Sequence, residues 1–236
     1  MSEAALSISN LNYSYEKSSG FALKNLSLKV PLGSCTLVLG PNGAGKSTLM
    51  SLLCGLIKKQ SGDINITAQW PENFFSYGTQ SPALYSDLTV KENLVLFARL
   101  MSHSTKALGK ISEVTSSLDL TTHMNKKIAH CSGGLKQRAH IAATLLGDYP
   151  LLVLDEPFNN IDPESRLVIS EALKRYCLEN KATLLLSSHQ FEAMEALWTH
   201  LAFLKNGEIS DFICRKDVSD QKLQSLFFEL KNAGDK

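Results

Sequence analysis

Thr36-Leu37-Val38-Leu39-Gly40-Pro41-Asn42-Gly43-Ala44-Gly45-Lys46-Ser47-Thr48-Leu49-Met50 is the stretch on which the fold turns. Its opening run offers apolar side chains to both faces, as a strand buried in a parallel sheet does. Gly40 to Ser47 fits G-x-x-x-x-G-K-[ST], and a helix is predicted from there to about Leu56. Strand, glycine-rich loop and helix in that order make a phosphate cradle. The glycines let backbone N–H groups curl around phosphate oxygens, and the helix N-terminus adds positive dipole. Lys46 has the reach for β and γ phosphates, and the Ser47 hydroxyl is a ligand for Mg2+. Gly40, Pro41, Asn42, Gly43, Ala44, Gly45, Lys46, Ser47 and Thr48 are thus the candidate contacts of a nucleoside triphosphate and its Mg2+.

Two further apolar runs lie downstream, Leu151 to Leu154 and Thr183 to Leu186, each separated from its neighbours by helical patterns. Both end in polar residues, Asp155-Glu156 in one case and Ser187-Ser188-His189 in the other. Open α/β sheets gather their chemistry at the carboxyl ends of strands, so these groups are expected to converge on the phosphate loop. There Asp155 is the candidate to hold Mg2+, and Glu156 the candidate to orient or deprotonate water. His189 is placed to contact the γ-phosphate. The fold class that follows is α/β, a P-loop NTPase core of mainly parallel sheet.

The remainder of the chain frames that core. Leu6 to Val30 alternates apolar and polar residues around a turn-like Glu16 to Gly20, which predicts an N-terminal antiparallel β subdomain. Strand signals stop between Gln80 and Asp148, where helical patterns such as Val90 to Met101 and Ile111 to Leu118 take over. A single domain is expected, with residues 1–80 and 148–236 as the core and residues 81–147 as an inserted helical subdomain. Near the end, Asn206-Gly207 predicts a tight hairpin turn, and Ser219 to Lys231 reads as a closing helix.

Composition excludes several function classes. With 24 Lys plus Arg against 23 Asp plus Glu, the net charge of +1 gives no support to nucleic-acid binding by counterion release. The 5 cysteines have no C-x-x-C or Cys/His ligand spacing, so reduced, mostly buried thiols are expected. The first residues lack the basic and long apolar regions of a signal peptide, and no apolar run is long enough to span a bilayer. A cytoplasmic chain is expected, any membrane role coming through a partner.

Ser132-Gly133-Gly134, followed by Leu135-Lys136-Gln137-Arg138, resembles the signature of the ABC ATPase family. The order of phosphate loop, Gln80, signature, Asp155-Glu156, Asp162 and His189 is similar to that family over essentially the whole chain. The resemblance implies that two such domains pack head to tail around two ATP molecules, each nucleotide meeting the phosphate loop of one subunit and the signature of the other. Ser132 also suits a helix N-cap, ahead of an apolar periodicity from Leu135 to Leu146 that Gly147 is expected to end. Free N–H groups at Gly133 and Gly134, with the Ser132 hydroxyl, would suit a partner's γ-phosphate.

The same resemblance implies that Gln80 senses Mg2+ and that Asp162 lies in a loop passing between subunits, although Asp162 is equally a natural N-cap before Pro163. It implies an aromatic residue under adenine, with Tyr15 aligning best and Tyr13 as a rival. Cys131 and Leu135 depart from the usual Leu and Gln. A thiol beside a helix N-terminus is a candidate for unusual acidity, and Leu135 is expected to remove a polar side chain from the dimer interface. Ser81 to Leu94 looks like the surface that meets a membrane permease, most similar to ATPases of ABC-2-type exporters, with Leu84, Tyr85 and Leu88 as groove residues. The alternatives are an importer ATPase, or a soluble relative acting on ribosomes or DNA. Peripheral attachment to the inner face of the cell membrane follows from the transporter reading.

Overall fold

The computed structural model describes residues 3–16, 20–67, 69–70, 74–101, 103–189 and 197–219. Its centre is a six-stranded sheet. The strands are β3 (Cys35–Leu39), β5 (Phe75–Gly78), β6 (Leu151–Leu154), β7 (Thr183–Ser188), β8 (His200–Lys205) and β9 (Glu208–Cys214). They run in the order β5-β6-β7-β3-β8-β9, parallel except for β9, so the carboxyl ends of β6, β7 and β3 are adjacent. The loop after Leu39, the Asp155-Glu156 pair and His189 leave the sheet side by side.

Burial explains why these short runs are strands. Leu37 and Leu39, Leu152 and Leu154, Leu184 and Leu186, and Leu201 and Phe203 enter the core on one face, while Val38, Leu151, Val153, Leu185, Ala202 and Leu204 enter that on the other. Side chains alternate across a pleat, so a strand with a core on both sides must be apolar at nearly every position.

The first core is covered by α2 (Val90–Leu100), α3 (Ser104–Ser117), α4 (Gly133–Thr144) and α5 (Pro163–Asn180). The second contains α1 (Lys46–Leu53) and an antiparallel sheet ordered β2-β1-β4, built from β1 (Ala4–Tyr13), β2 (Leu23–Pro31) and β4 (Ser61–Ile66). The expected N-terminal antiparallel subdomain is thus a sheet of three strands, with β4 paired to β1. Helices α2 to α4 fill the stretch between Gln80 and Asp148.

Several boundaries differ from the sequence reading. Helix α1 stops at Leu53, before the expected Leu56, because Gly55 turns the chain at φ +67. Helix α4 ends at Thr144. Gly147 is not its left-handed cap; a Cβ there would stand 2.2 Å from the Tyr149 ring, so close packing is what requires the glycine. The Asn206-Gly207 turn is as expected, with φ +51 and +79 at its two residues, the twist that matches flanking strands. The predicted closing helix lies outside the described residues, save Ser219.

Candidate functional site

The loop between β3 and α1 is held from three sides. Gly45 adopts φ +107, and a Cβ there would lie 2.5 Å from the Ala22 carbonyl oxygen and 2.7 Å from Leu23 Cδ2. Gly40 packs as tightly on the Leu204 carbonyl, where a Cβ would sit at 2.2 Å. The Gly207 N–H of the β8–β9 turn donates to the Ala44 carbonyl at 3.1 Å. Gly43, at φ +80, faces open space. The glycines at 40 and 45 thus seat the loop against protein, while the one at 43 leaves room above it.

Above the loop is a cavity of about 550 Å3 lined by Tyr15, Gly20, Phe21, Ala22, Asn42, Gly43, Gly45, Lys46, Ser47, Thr48, Gln80 and Glu156. Most of the predicted phosphate contacts thus meet Gln80 and Glu156 there. Lys46 is only 6% exposed, and its Nζ donates to the carbonyls of Gly40 at 2.8 Å and Pro41 at 3.1 Å. The same ammonium stands 3.3 Å from Glu156 Oε1. Glu156 Oε2 lies 2.8 Å from His189 Nδ1, so one buried carboxylate is shared by a lysine and a histidine.

Glu156 is held in an unusual backbone state, φ +50, which costs a non-glycine residue on the order of 1 kcal/mol. Its N–H donates to Ser187 Oγ at 2.9 Å, and that hydroxyl donates to Asp155 Oδ1. One serine at the end of β7 thereby orients both acidic residues at the end of β6. Asp155 is 3% exposed, and its charge is felt nearby. Burial first, and the Asp155 carboxylate second, push the Tyr77 hydroxyl and the Cys54 thiol up to about 12.

Tyr15, rather than Tyr13, lines the cavity. The two rings meet edge to face at 5.0 Å, and Tyr15 Oη lies 3.1 Å from Thr48 Oγ1 at the start of α1. Phe21, 59% exposed, is an aromatic wall that the sequence reading missed. The signal available was a large apolar residue directly after a turn-like segment. Gly20 and Ala22 were missed as well, since only the fold brings them beside the loop.

Ser132, Gly133, Gly134 and Asp162 are not among the residues that line the cavity. They form a cluster of their own. Ser132 caps α4, its hydroxyl accepting from the Leu135 N–H at 3.3 Å. A Cβ on Gly134 would strike Asp162 Oδ2 at 2.1 Å, whereas Gly133 is open, its nearest neighbour the Asn160 carbonyl at 3.8 Å. Asp162 caps α5, accepting from Ser165 N at 2.8 Å and Ser165 Oγ at 2.9 Å; these bonds hold its carboxyl below the usual range.

Two expectations about this cluster are corrected. Leu135 is 3% exposed inside the main core, so it is a packing residue of its own subunit and not a surface position. Burial raises the Cys131 thiol, and the Lys126 and Lys136 charges do not reverse it, so the residue is not unusually acidic. In the segment after Gln80, Leu84 and Leu88 are half-buried and Tyr85 projects, 58% exposed. The buried Asn93 amide accepts from Tyr85 N and donates to the carbonyls of Tyr85 and Thr89, which makes the projecting loop stiff.

Comparison with known proteins places the fold in a family. The family described as ABC transporter matches residues 23–159, more than half of the chain. Nod factor export ATP-binding protein I of Rhizobium sp. (strain N33) is 33% identical over 88% of this chain and 70% of its own length. Among solved structures, an ATP binding subunit of an ABC transporter superposes with a TM-score of 0.80 at 28% identity, covering 96% of this chain and 99% of that one. A dimeric, post-hydrolysis state of the ATP-binding cassette MJ0796 bound to ADP and Pi shares the fold, with a TM-score of 0.75 at 24% identity over 89% of this chain and 98% of that one. The chain belongs to the ABC transporter family, as one of its ATP-binding subunits.

Proposed function

We propose that this subunit hydrolyses ATP with Mg2+ and powers an exporter by closing against a second ATPase subunit. The observation that carries the reading is the Glu156 carboxylate at the cavity wall, between the Lys46 ammonium at 3.3 Å and the His189 imidazole at 2.8 Å. The donors available to a cation are hard oxygens, Ser47 Oγ, the Gln80 side chain and the Asp155 carboxylate. Mg2+ keeps several waters and needs few protein ligands, so this sparse set fits it. When bound, the ion neutralises charge that develops on the β and γ oxygens.

The chain's own residues do the rest. Gly43 and Gly45 leave backbone N–H groups around the phosphates, and Lys46 exchanges its carbonyl partners for phosphate oxygens. His189 holds Glu156 through Oε2, and Oε1, released as Lys46 turns to the phosphates, takes a proton from water attacking the γ-phosphorus. Tyr15 and Phe21 offer aromatic faces to the base. Ser132, Gly133, Gly134 and Asp162 serve the nucleotide of the partner subunit. Their position outside this chain's cavity supports that reading, as does the dimer of the related cassette.

Export through an ABC-2-type permease rests on likeness to the Nod factor export protein, with the stiff loop at Tyr85 as the docking point. Among the described residues no helix is long and apolar enough to cross a membrane. The proposed attachment to the inner face is through that permease. Calorimetry of folded protein with Mg·ATP tests the foundation: micromolar to millimolar binding with phosphate release is expected, and no uptake defeats the reading. Co-purification with a membrane protein is expected for the transport role. Recovery only with ribosomes or DNA reverses it.

A further inference from the structure

Two of the buried polar residues of the signature helix α4 reach backbone outside the helix, and they neither cap it nor touch the cavity. Gln137 is 5% exposed and His140 is 4% exposed. Three residues apart, they share one face of the helix. Gln137 Nε2 donates to the Pro157 carbonyl at 3.0 Å, in the loop directly after Glu156. His140 Nε2 lies 3.2 Å from the carbonyl oxygen of Thr79, directly before Gln80. A carbonyl only accepts, so the imidazole must carry its proton on Nε2 and donate.

We propose that His140 is a positioning residue, whose Nε2–H bond to the Thr79 carbonyl fixes the Gln80 backbone relative to the helix that begins at the signature. Packing alone gives no reason for an imidazole at this buried position, between Ala139 and Ile141. Burying a polar ring is unfavourable unless its N–H is used, and here the bond goes to backbone at the edge of the site. The backbone that it binds is itself held. Gly78 packs against Leu154, whose Cδ2 would stand 2.6 Å from a Cβ there. The Gly78 carbonyl accepts from Asp155 N at 2.9 Å, and Thr79 Oγ1 donates to the Ser81 carbonyl at 2.7 Å. The backbone on both sides of Thr79 is thereby fixed, and His140 supplies the tie to α4. Movement of that helix is passed to Gln80 through one side chain and to the Glu156 loop through the other.

The inference rests on the reading of Gln80 as a contact of Mg2+, and its test separates the two. AMP-PNP affinity is measured by calorimetry with Mg2+ and with EDTA, in the full chain and in His140→Leu, His140→Gln and Gln80→Ala. His140→Leu is expected to lose about three- to tenfold of the affinity gained from Mg2+, at unchanged affinity in EDTA. The Gln side chain can donate from a similar place, so His140→Gln stays within about twofold of the unaltered protein. Loss of the Mg2+ gain in Gln80→Ala but not in His140→Leu overturns the positioning role alone. No loss in Gln80→Ala removes the Gln80 reading and the inference with it. An equal loss in His140→Gln and His140→Leu also overturns it. If His140→Leu does not fold, the long-range 15N spectrum of the unaltered protein decides: a neutral ring protonated on Nε2 is required, and an Nδ1–H tautomer ends the proposal.

Discussion

The phosphate-loop cavity and the signature cluster are built on opposite plans. The cavity is concave and assembled from four separate stretches of chain, with a buried glutamate in its wall that pairs with a buried lysine on one oxygen and a half-buried histidine on the other. The signature cluster is two helix N-termini set side by side, with the open Gly133 and the exposed Ser132 at its surface. Its own hydroxyl and carboxylate are spent as caps on α4 and α5. One region is a concave pocket and the other an exposed donor surface. Unequal halves of this kind fit the pairing proposed above, in which each half is completed by the other subunit.

The largest effect expected is on turnover. Glu156→Gln should lower ATP hydrolysis by about 10²- to 10⁴-fold, the usual cost of losing a general base, while ATP still binds. Sedimentation of this variant should show dimers with ATP and monomers without it. Near-normal hydrolysis, measured with the partner present, would take Glu156 out of its role; dimers indifferent to ATP would dissolve the contrast between the halves.

Next in size is an effect on the helix that joins them. Burial pulls His140 down to about 4, from an ordinary 6.5, while its bond to Thr79 pulls the other way. The unfolded chain therefore takes up this proton below about pH 6.5, and the native chain only near pH 4. This contribution is fully present above pH 6.5 and is lost as pH falls from there toward 4, on the order of 3 kcal/mol in all. Denaturant melts of the native protein and His140→Gln across that window should differ in slope; parallel curves would contradict the buried, neutral ring.

Ser132→Ala sharpens the comparison more gently. It should lower turnover about tenfold, about 1.4 kcal/mol in the barrier, and cost about 1 kcal/mol of stability through the lost cap. Affinity of the single chain for ATP should not change. A fall in that affinity would mean that the signature serves its own subunit's nucleotide. Smallest of all, Tyr15→Ala should weaken ATP binding about fivefold and Tyr15→Phe less than twofold, since the ring matters more than its bond to Thr48. Equal losses in the two would shift the weight to the hydroxyl.

What the sequence disclosed followed from how local each feature is. The phosphate loop is consecutive in the chain, so its glycines, lysine and serine could be read together. The three buried strands were legible because both faces are apolar. Strands β4 and β5 were not: Ser61 to Ile66 never presents a fully buried residue, and Phe75 to Gly78 is short and owes its pairing to β6. Thr89 and Glu92 make a capping box at the start of α2, a spacing that was open to reading. Gly20 and Ala22 entered the site only through tertiary placement, and nothing local marked Ser187 apart from Ser188 as the residue that orients Asp155 and Glu156. His140 was not legible, because the carbonyl that it serves lies in another element.

The Asn206-Gly207 hairpin has a bearing on how this protein can be engineered. Surface hairpin tips are where chains usually accept tags, insertions or new termini with least harm. Here the tip is a buttress: Gly207 donates to the Ala44 carbonyl, and its Cα leaves no room for a side chain beside Ala22 and Leu23. A fusion placed there would be expressed and folded, yet would loosen the seat of the phosphates from below. In a tolerance map of the chain, this innocuous-looking tip should stand out as a forbidden spot.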